Sequence, residues 1–326
     1  MSATRRPDAP TLLSEAQAGS RVALARLLTL VERGGPAAEG VASLVYRAPE
    51  PYTVGLTGAP GAGKSTLTDR LIVAARAGWP DAAGGVDAAV DQVAVLAIDP
   101  SSPFTGGAIL GDRVRMQDHA TDPTVFIRSM ATRGHLGGLA LAVPDAVRTL
   151  GAAGMPVVLL ETVGVGQMEV DVVGAADTTV VVVNPGWGDA MQANKAGLLE
   201  IADLFVINKA DRVGVREARR DLEQMLELSP PANWRPPILE TVASTGAGVT
   251  ELWAAVAEHR RHLIDTDELA QRRRRRLEGV LRQVLQATIE VRVAELSASA
   301  TYAEALDAVL SGRADPYAAA AELLTP

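Results

Sequence analysis

The segment Gly58-Ala59-Pro60-Gly61-Ala62-Gly63-Lys64-Ser65 has the spacing G-x-x-x-x-G-K-[ST] of a loop that wraps a polyphosphate. Its glycines let successive backbone N–H groups turn inward around an anion. Lys64 is placed to reach the β- and γ-phosphates, and the Ser65 hydroxyl to bind Mg²⁺. Thr66 continues the contact run into a helix, whose positive end adds to the anion site. The expected ligand is a nucleoside triphosphate.

Asn208-Lys209-Ala210-Asp211 is a base-reading pattern, N-K-x-D. The Asp211 carboxylate can accept both the N1–H and the 2-amino hydrogens of guanine. Adenine has no 2-amino group and offers an acceptor at N1, so it would leave the carboxylate unpaired. A mismatch of that kind discriminates by orders of magnitude. The Lys209 stem would lie along the base plane, and Asn208 would brace the loop. Downstream, Ser244, Thr245 and Gly246 suit a backbone contact to guanine O6. The nucleotide is therefore expected to be GTP or GDP.

Acids near the phosphates complete the set. Glu161 opens Glu161-Thr162-Val163-Gly164-Val165-Gly166-Gln167. The acid would approach Mg²⁺ through water, and the Gly164 N–H would sense the γ-phosphate. Asp99 and Asp112, in a Gly-rich stretch, can complete the Mg²⁺ shell or orient a water.

Elements that could hold these residues alternate along the chain. Strands are predicted over 52–57, 93–98, 125–128, 157–161, 178–184, 204–208 and 238–242. Runs such as Thr179-Val180-Val181-Val182-Val183 are apolar throughout, which suits strands buried on both faces of a parallel sheet. The expected fold is α/β, a doubly wound, mainly parallel sheet whose ligands bind at the carboxyl ends of the strands. One helix is predicted over 11–33, within a helical N-terminal extension of residues 1–50. The nucleotide domain spans 51–264, and a helical C-terminal arm spans 265–326. Residues 81–91 are small and Gly/Ala-rich and read as a loop without chemistry.

Composition narrows the classes. The 326 residues carry a net charge of −8, which argues against nucleic-acid binding. There is no Cys, so disulfides and thiolate metal sites are excluded, and a cytoplasmic location is expected. No apolar run is long enough to span a membrane. Lysine occurs only at Lys64, Lys195 and Lys209, every other basic side chain being Arg. Arg272 to Arg276 would circle a helix completely and are expected in a solvated arm or an inter-subunit pairing. His259 and His262 are expected to be solvated rather than metal-binding.

Five longer segments, starting at Asp99, Thr105, Ile127, Glu161 and Pro185, fall in an order that resembles one family. The chain is similar, over about residues 11–326, to the GTPase chaperones of adenosylcobalamin-dependent methylmalonyl-CoA mutase (MeaB/ArgK-like, among the P-loop GTPases). Some relatives are called arginine/ornithine transport-associated kinases or ATPases. The resemblance implies a dimeric GTPase whose C-terminal arm dimerises and whose GTP state gates cofactor loading of the mutase and protects or reactivates it. It matches Ser65, Asp99, Asp112 and Glu161 to the Mg²⁺-phosphate site, and residues 186–197 to a loop that communicates with the mutase. Lys195 matches a lysine there that approaches the nucleotide, whereas Ala196 departs from relatives with a second lysine. Lys64, Asp112, Gln167 and Lys195 are the catalytic candidates, with slow hydrolysis accelerated by a partner. A metal-insertion GTPase chaperone and a transport-system kinase or ATPase are the alternatives.

Overall fold

A computed structural model describes residues 8–81, 85–100, 119, 121–132, 138–162, 174–186, 200–228, 230 and 233–324, with backbone alone at 99–100, 131–132 and 138–141. Two compact units divide the chain, residues 1–276 and 277–326.

The first unit is built on a seven-stranded parallel sheet. Its strands are β1 (Tyr52–Thr57), β4 (Val93–Pro100), β5 (Val125–Thr132), β6 (Val157–Thr162), β7 (Thr178–Val183), β8 (Leu204–Asn208) and β9 (Ile238–Thr241), in the order β5-β4-β6-β1-β7-β8-β9. The central strand β1 precedes the phosphate loop, at the point where the chain reverses its direction of travel across the sheet. A short hairpin, β2 (Trp79–Pro80) with β3 (Val86–Ala88), occupies part of the segment expected as a plain loop.

Alternate residues of each strand enter different cores, which explains the unbroken apolar runs. Val180 and Val182 face α4 (Lys64–Arg76) and α7 (Val249–Asp265), sharing a core with Leu67, Leu71 and Trp253. Val181 and Val183 face the other way, toward Leu222 and Met225 of α6 (Val215–Glu227). Beneath β4, β5 and β6, Leu96, Met130 and Leu160 join a third cluster with α1 (Ala9–Gln17), α2 (Arg21–Arg33), α3 (Gly35–Val45) and α5 (Gly138–Ala152).

The helix predicted over 11–33 is two helices. Gly19 takes a left-handed φ of +94°, and the Ser20 hydroxyl accepts from Ala23 N at 3.3 Å, capping α2. Apolar spacing continues across the break, so periodicity alone does not show it.

The long helix α8 (Glu268–Ser297) crosses from the first unit into the second. The second unit also holds α9 (Ala300–Leu310) and α10 (Pro316–Leu324), which pack on each other. Leu281, Val284, Leu285, Ile289, Leu306 and Leu310 are exposed on it.

Candidate nucleotide site

The site begins where β1 ends. Gly58 has φ +133°, and a Cβ there would lie 2.0 Å from Val182 O on the neighbouring strand, so only glycine lets the chain leave the sheet here. Gly61 (φ +75°) and Gly63 (φ +95°) continue the curl, and α4 starts at Lys64. The Lys64 ammonium turns back onto the loop, donating to Gly58 O and, at 3.3 Å, to Ala59 O. Lys64 and Ser65 are each only 7% exposed.

Ser65 Oγ donates to Glu161 Oε1 at 2.5 Å, across a sequence gap of 96 residues. Glu161 lies near the carboxyl end of β6, beside β1, and is fully buried. A hydroxyl and a carboxylate converging at a phosphate loop are the hard oxygen donors that Mg²⁺ takes, and these two residues fit the ion. Asp99 is placed by its backbone at the carboxyl end of β4, the next strand along. Asp112, Gly164, Gln167 and Lys195 lie outside the described residues, as do most of 186–197.

The Asn208–Asp211 segment is tied to the phosphate loop. Asn208, 2% exposed at the end of β8, donates from Nδ2 to Ala62 O at 2.8 Å. Its Oδ1 accepts from Thr241 Oγ1 and from Ala243 N, both at 3.1 Å. One amide thereby holds three loops. Lys209 takes a left-handed φ of +59° and donates from Nζ to Gly61 O at 2.6 Å, so its stem runs over the phosphate loop. Asp211 is exposed just beyond it, as are Ser244 and Thr245 in the turn after β9. Gly246 (φ +83°) and Gly248 (φ +77°) shape that turn, closed by Val242 N donating to Ala247 O at 2.9 Å.

A second polar cluster lies at the opposite end of the sheet. Glu50, Asp177 and Asp203 each stand just before one of three adjacent strands, β1, β7 and β8. Arg273 donates to Asp177 Oδ2 at 2.7 Å, and Arg276 to Asp177 Oδ1 at 3.0 Å and Glu50 Oε1 at 3.1 Å. Arg272 donates to both carboxylate oxygens of Asp203 at 2.9 Å. These three arginines share one helix face and pair within their own chain, while Arg274 and Arg275 are exposed on the other face. The expectation of a solvated run or an inter-subunit pairing therefore fails for Arg272, Arg273 and Arg276. Burial alone would raise the Asp177 carboxyl, but Arg273 and Arg276, with the Thr53 N–H, hold it below its ordinary value. His259 is fully buried rather than solvated, 2.8 Å by Nδ1 from Thr178 Oγ1 and 3.2 Å by Nε2 from Asp203 Oδ1. Among the described residues no cluster of His, Asp and Glu could hold a metal ion by itself, and no helix is long and apolar enough to cross a membrane.

Comparison with known proteins matches this arrangement to one family. A model of the family described as methylmalonyl Co-A mutase-associated GTPase MeaB matches residues 24–298. A protein of Pyrococcus horikoshii named as a GTPase is 47% identical over 314 residues, covering 95% of each chain. A fused isobutyryl-CoA mutase of Cupriavidus metallidurans is 39% identical over 221 residues, 67% of this chain but 19% of that one. The crystal structure of a LAO/AO transport system kinase superposes with a TM-score of 0.68 at 27% identity, covering 99% of this chain and 98% of that one.

Proposed function

The chain belongs to the methylmalonyl-CoA mutase-associated GTPase family and is a P-loop GTPase; from that premise we propose that it is a GTP-dependent chaperone of an adenosylcobalamin-dependent acyl-CoA mutase. Its hydrolysis of GTP would report cofactor loading and support protection or reactivation of that mutase. The observation that carries this reading is the relative in which a matching segment belongs to the same polypeptide as an isobutyryl-CoA mutase. Methylmalonyl-CoA mutase is the default partner by family.

The chemistry proposed is in-line attack of water on the γ-phosphate, driven by positioning and charge neutralisation. Lys64 would exchange its bonds to Gly58 O and Ala59 O for phosphate oxygens. The phosphate-loop N–H groups and the amino end of α4 would bind the remaining charge. Mg²⁺ would neutralise the β- and γ-phosphates, held by Ser65 and Glu161, with Asp99 and Asp112 as further proposed ligands. Asp211 would accept from guanine, with Lys209 along the base. Gly164 is the proposed γ-phosphate sensor, and Gln167, Asp112 and Lys195 are the proposed groups about the attacking water.

Single-turnover GTP hydrolysis with and without candidate acyl-CoA mutases tests the proposal. Acceleration by one of them is expected, and a rate unchanged by every such mutase overturns it. The kinase name of the superposed structure suggests a rival, a transport-system kinase using ATP. Preference for ATP over GTP in direct binding would favour that rival.

We also take residues 265–326 as an arm through which two copies associate in the cytoplasm. The exposed apolar residues of the second unit support this, because isolated helices seldom leave so many uncovered. Sedimentation of the full chain should give a dimer, and Leu281→Glu with Leu285→Glu a monomer.

A further inference from the structure

We propose that Arg70 is a positioning residue for guanine recognition: from the helix that follows the phosphate loop, it holds the 243–245 turn so that a backbone donor meets guanine O6. This deepens the reading of the site as a guanine site and rests on it. Arg70 lies on α4, which begins at Lys64. Its Nε donates to Ala243 O at 3.2 Å and its Nη2 to Ser244 O at 3.4 Å, so one guanidinium grips two consecutive carbonyls. In a trans peptide a carbonyl and the N–H bonded to its carbon point in opposite directions. Holding Ala243 O toward α4 therefore turns the Ser244 N–H away from α4. Asn208 Oδ1 fastens the same turn to the Asp211 segment through Ala243 N, at 3.1 Å. Thr245 N and Gly246 N both donate to Val242 O, at 3.0 and 2.9 Å, and are used inside the turn. The Ser244 N–H is thus the turn's donor for O6, and Arg70 sets its direction.

Arg70 also links two kinds of recognition. It stands on the helix whose amino end would face the phosphates, so a phosphate-bound loop and a correctly aimed base contact would share one rigid element. A lysine offers a point charge and cannot span two carbonyls as a guanidinium fork does. The side chain is itself exposed, so its loss removes the grip without opening the core.

The test is equilibrium binding of GDP, 6-thio-GDP, IDP and ADP to the full chain and to Arg70→Ala and Arg70→Lys. Sulfur at position 6 is a weak acceptor, whereas IDP keeps O6 and lacks the 2-amino group. Arg70→Ala is expected to weaken GDP about tenfold while changing 6-thio-GDP little, so that the preference between them collapses. The preference for GDP over IDP, set by Asp211, should persist, and Arg70→Lys should recover part of the loss. Equal weakening of GDP and 6-thio-GDP, or unchanged GDP binding in Arg70→Ala at an unchanged melting temperature, overturns the proposal. A wild-type chain that binds ADP as well as GDP overturns the guanine reading itself, and the role of Arg70 with it.

Discussion

Asn208 Nδ2 donates to Ala62 O at 2.8 Å, so the residue that opens the base-reading segment also grips the phosphate loop. Its Oδ1 accepts from Thr241 Oγ1 at the end of β9 and from Ala243 N in the turn that follows. Asn208→Ala would leave several buried partners unpaired, at a cost of about 1–3 kcal/mol for each group not rescued by water. A lowered denaturation midpoint is expected, together with GDP binding weakened more than about tenfold. Urea titration with and without nucleotide measures both.

Ser65 and Glu161 form another long-range bond of the site, 2.5 Å between the first turn of α4 and the end of β6. Ser65→Ala and Glu161→Gln should each lower GTP hydrolysis by about a hundredfold, the size of a lost few kcal/mol of charge stabilisation. The Mg²⁺ concentration giving half-maximal rate should rise in both. An unchanged Mg²⁺ dependence would remove these two residues from the metal set.

The phosphate loop depends on Gly58 more than on Gly61. A Cβ at Gly58 would meet Val182 O at 2.0 Å, whereas one at Gly61 meets nothing within 4 Å. Gly58→Ala should abolish nucleotide binding and lower the melting temperature. Gly61→Ala should cost only the left-handed backbone strain, about 1–2 kcal/mol. Differential scanning fluorimetry of the pair separates the two effects.

Asp177 supplies a pH-dependent contribution to stability. Its carboxyl is held below its ordinary value, so the stabilisation is complete above that value and is lost as pH falls through the depressed one. Asp177→Ala leaves Arg273 and Arg276 without their shared partner and should cost about 3–5 kcal/mol at neutral pH. The gap between wild type and Asp177→Asn should stay constant from about pH 7 to about pH 5 and narrow below about pH 4. Guanidinium melts across that range would show it, and a gap that widens in acid would contradict the pairing.

The sheet was legible because its signal is local. Val180 to Val183 have an apolar side chain for each face in turn, and the strand found there is β7. Lys64, Ser65 and Asn208 were legible for the same reason, since their motifs are contiguous. What sequence does not show is who partners whom at a distance. The acidic neighbours of the arginine run in sequence are Asp265, Asp267, Glu268 and Glu278, but Arg273 and Arg276 meet Asp177 and Glu50, far away in sequence and adjacent only because β1 and β7 pair. His259 shows the same dependence, its polar neighbours in the core being Thr178 and Asp203. Arg70 carries no motif at all, and its partners lie 173 and 174 residues further on.

The scarcity of lysine gives the molecule an unusual chemical handle. Of its three side-chain amines, Lys64 and Lys209 both spend their ammonium groups on carbonyls of the phosphate loop. Amine-directed reagents, whether laboratory esters or reactive acyl thioesters in a cell, therefore meet a chain in which two of the three targets are bonded to the phosphate loop. Acylation at either would remove a positive charge from that loop, and a bound nucleotide would shield both, so the pattern of modified lysines becomes a footprint of occupancy.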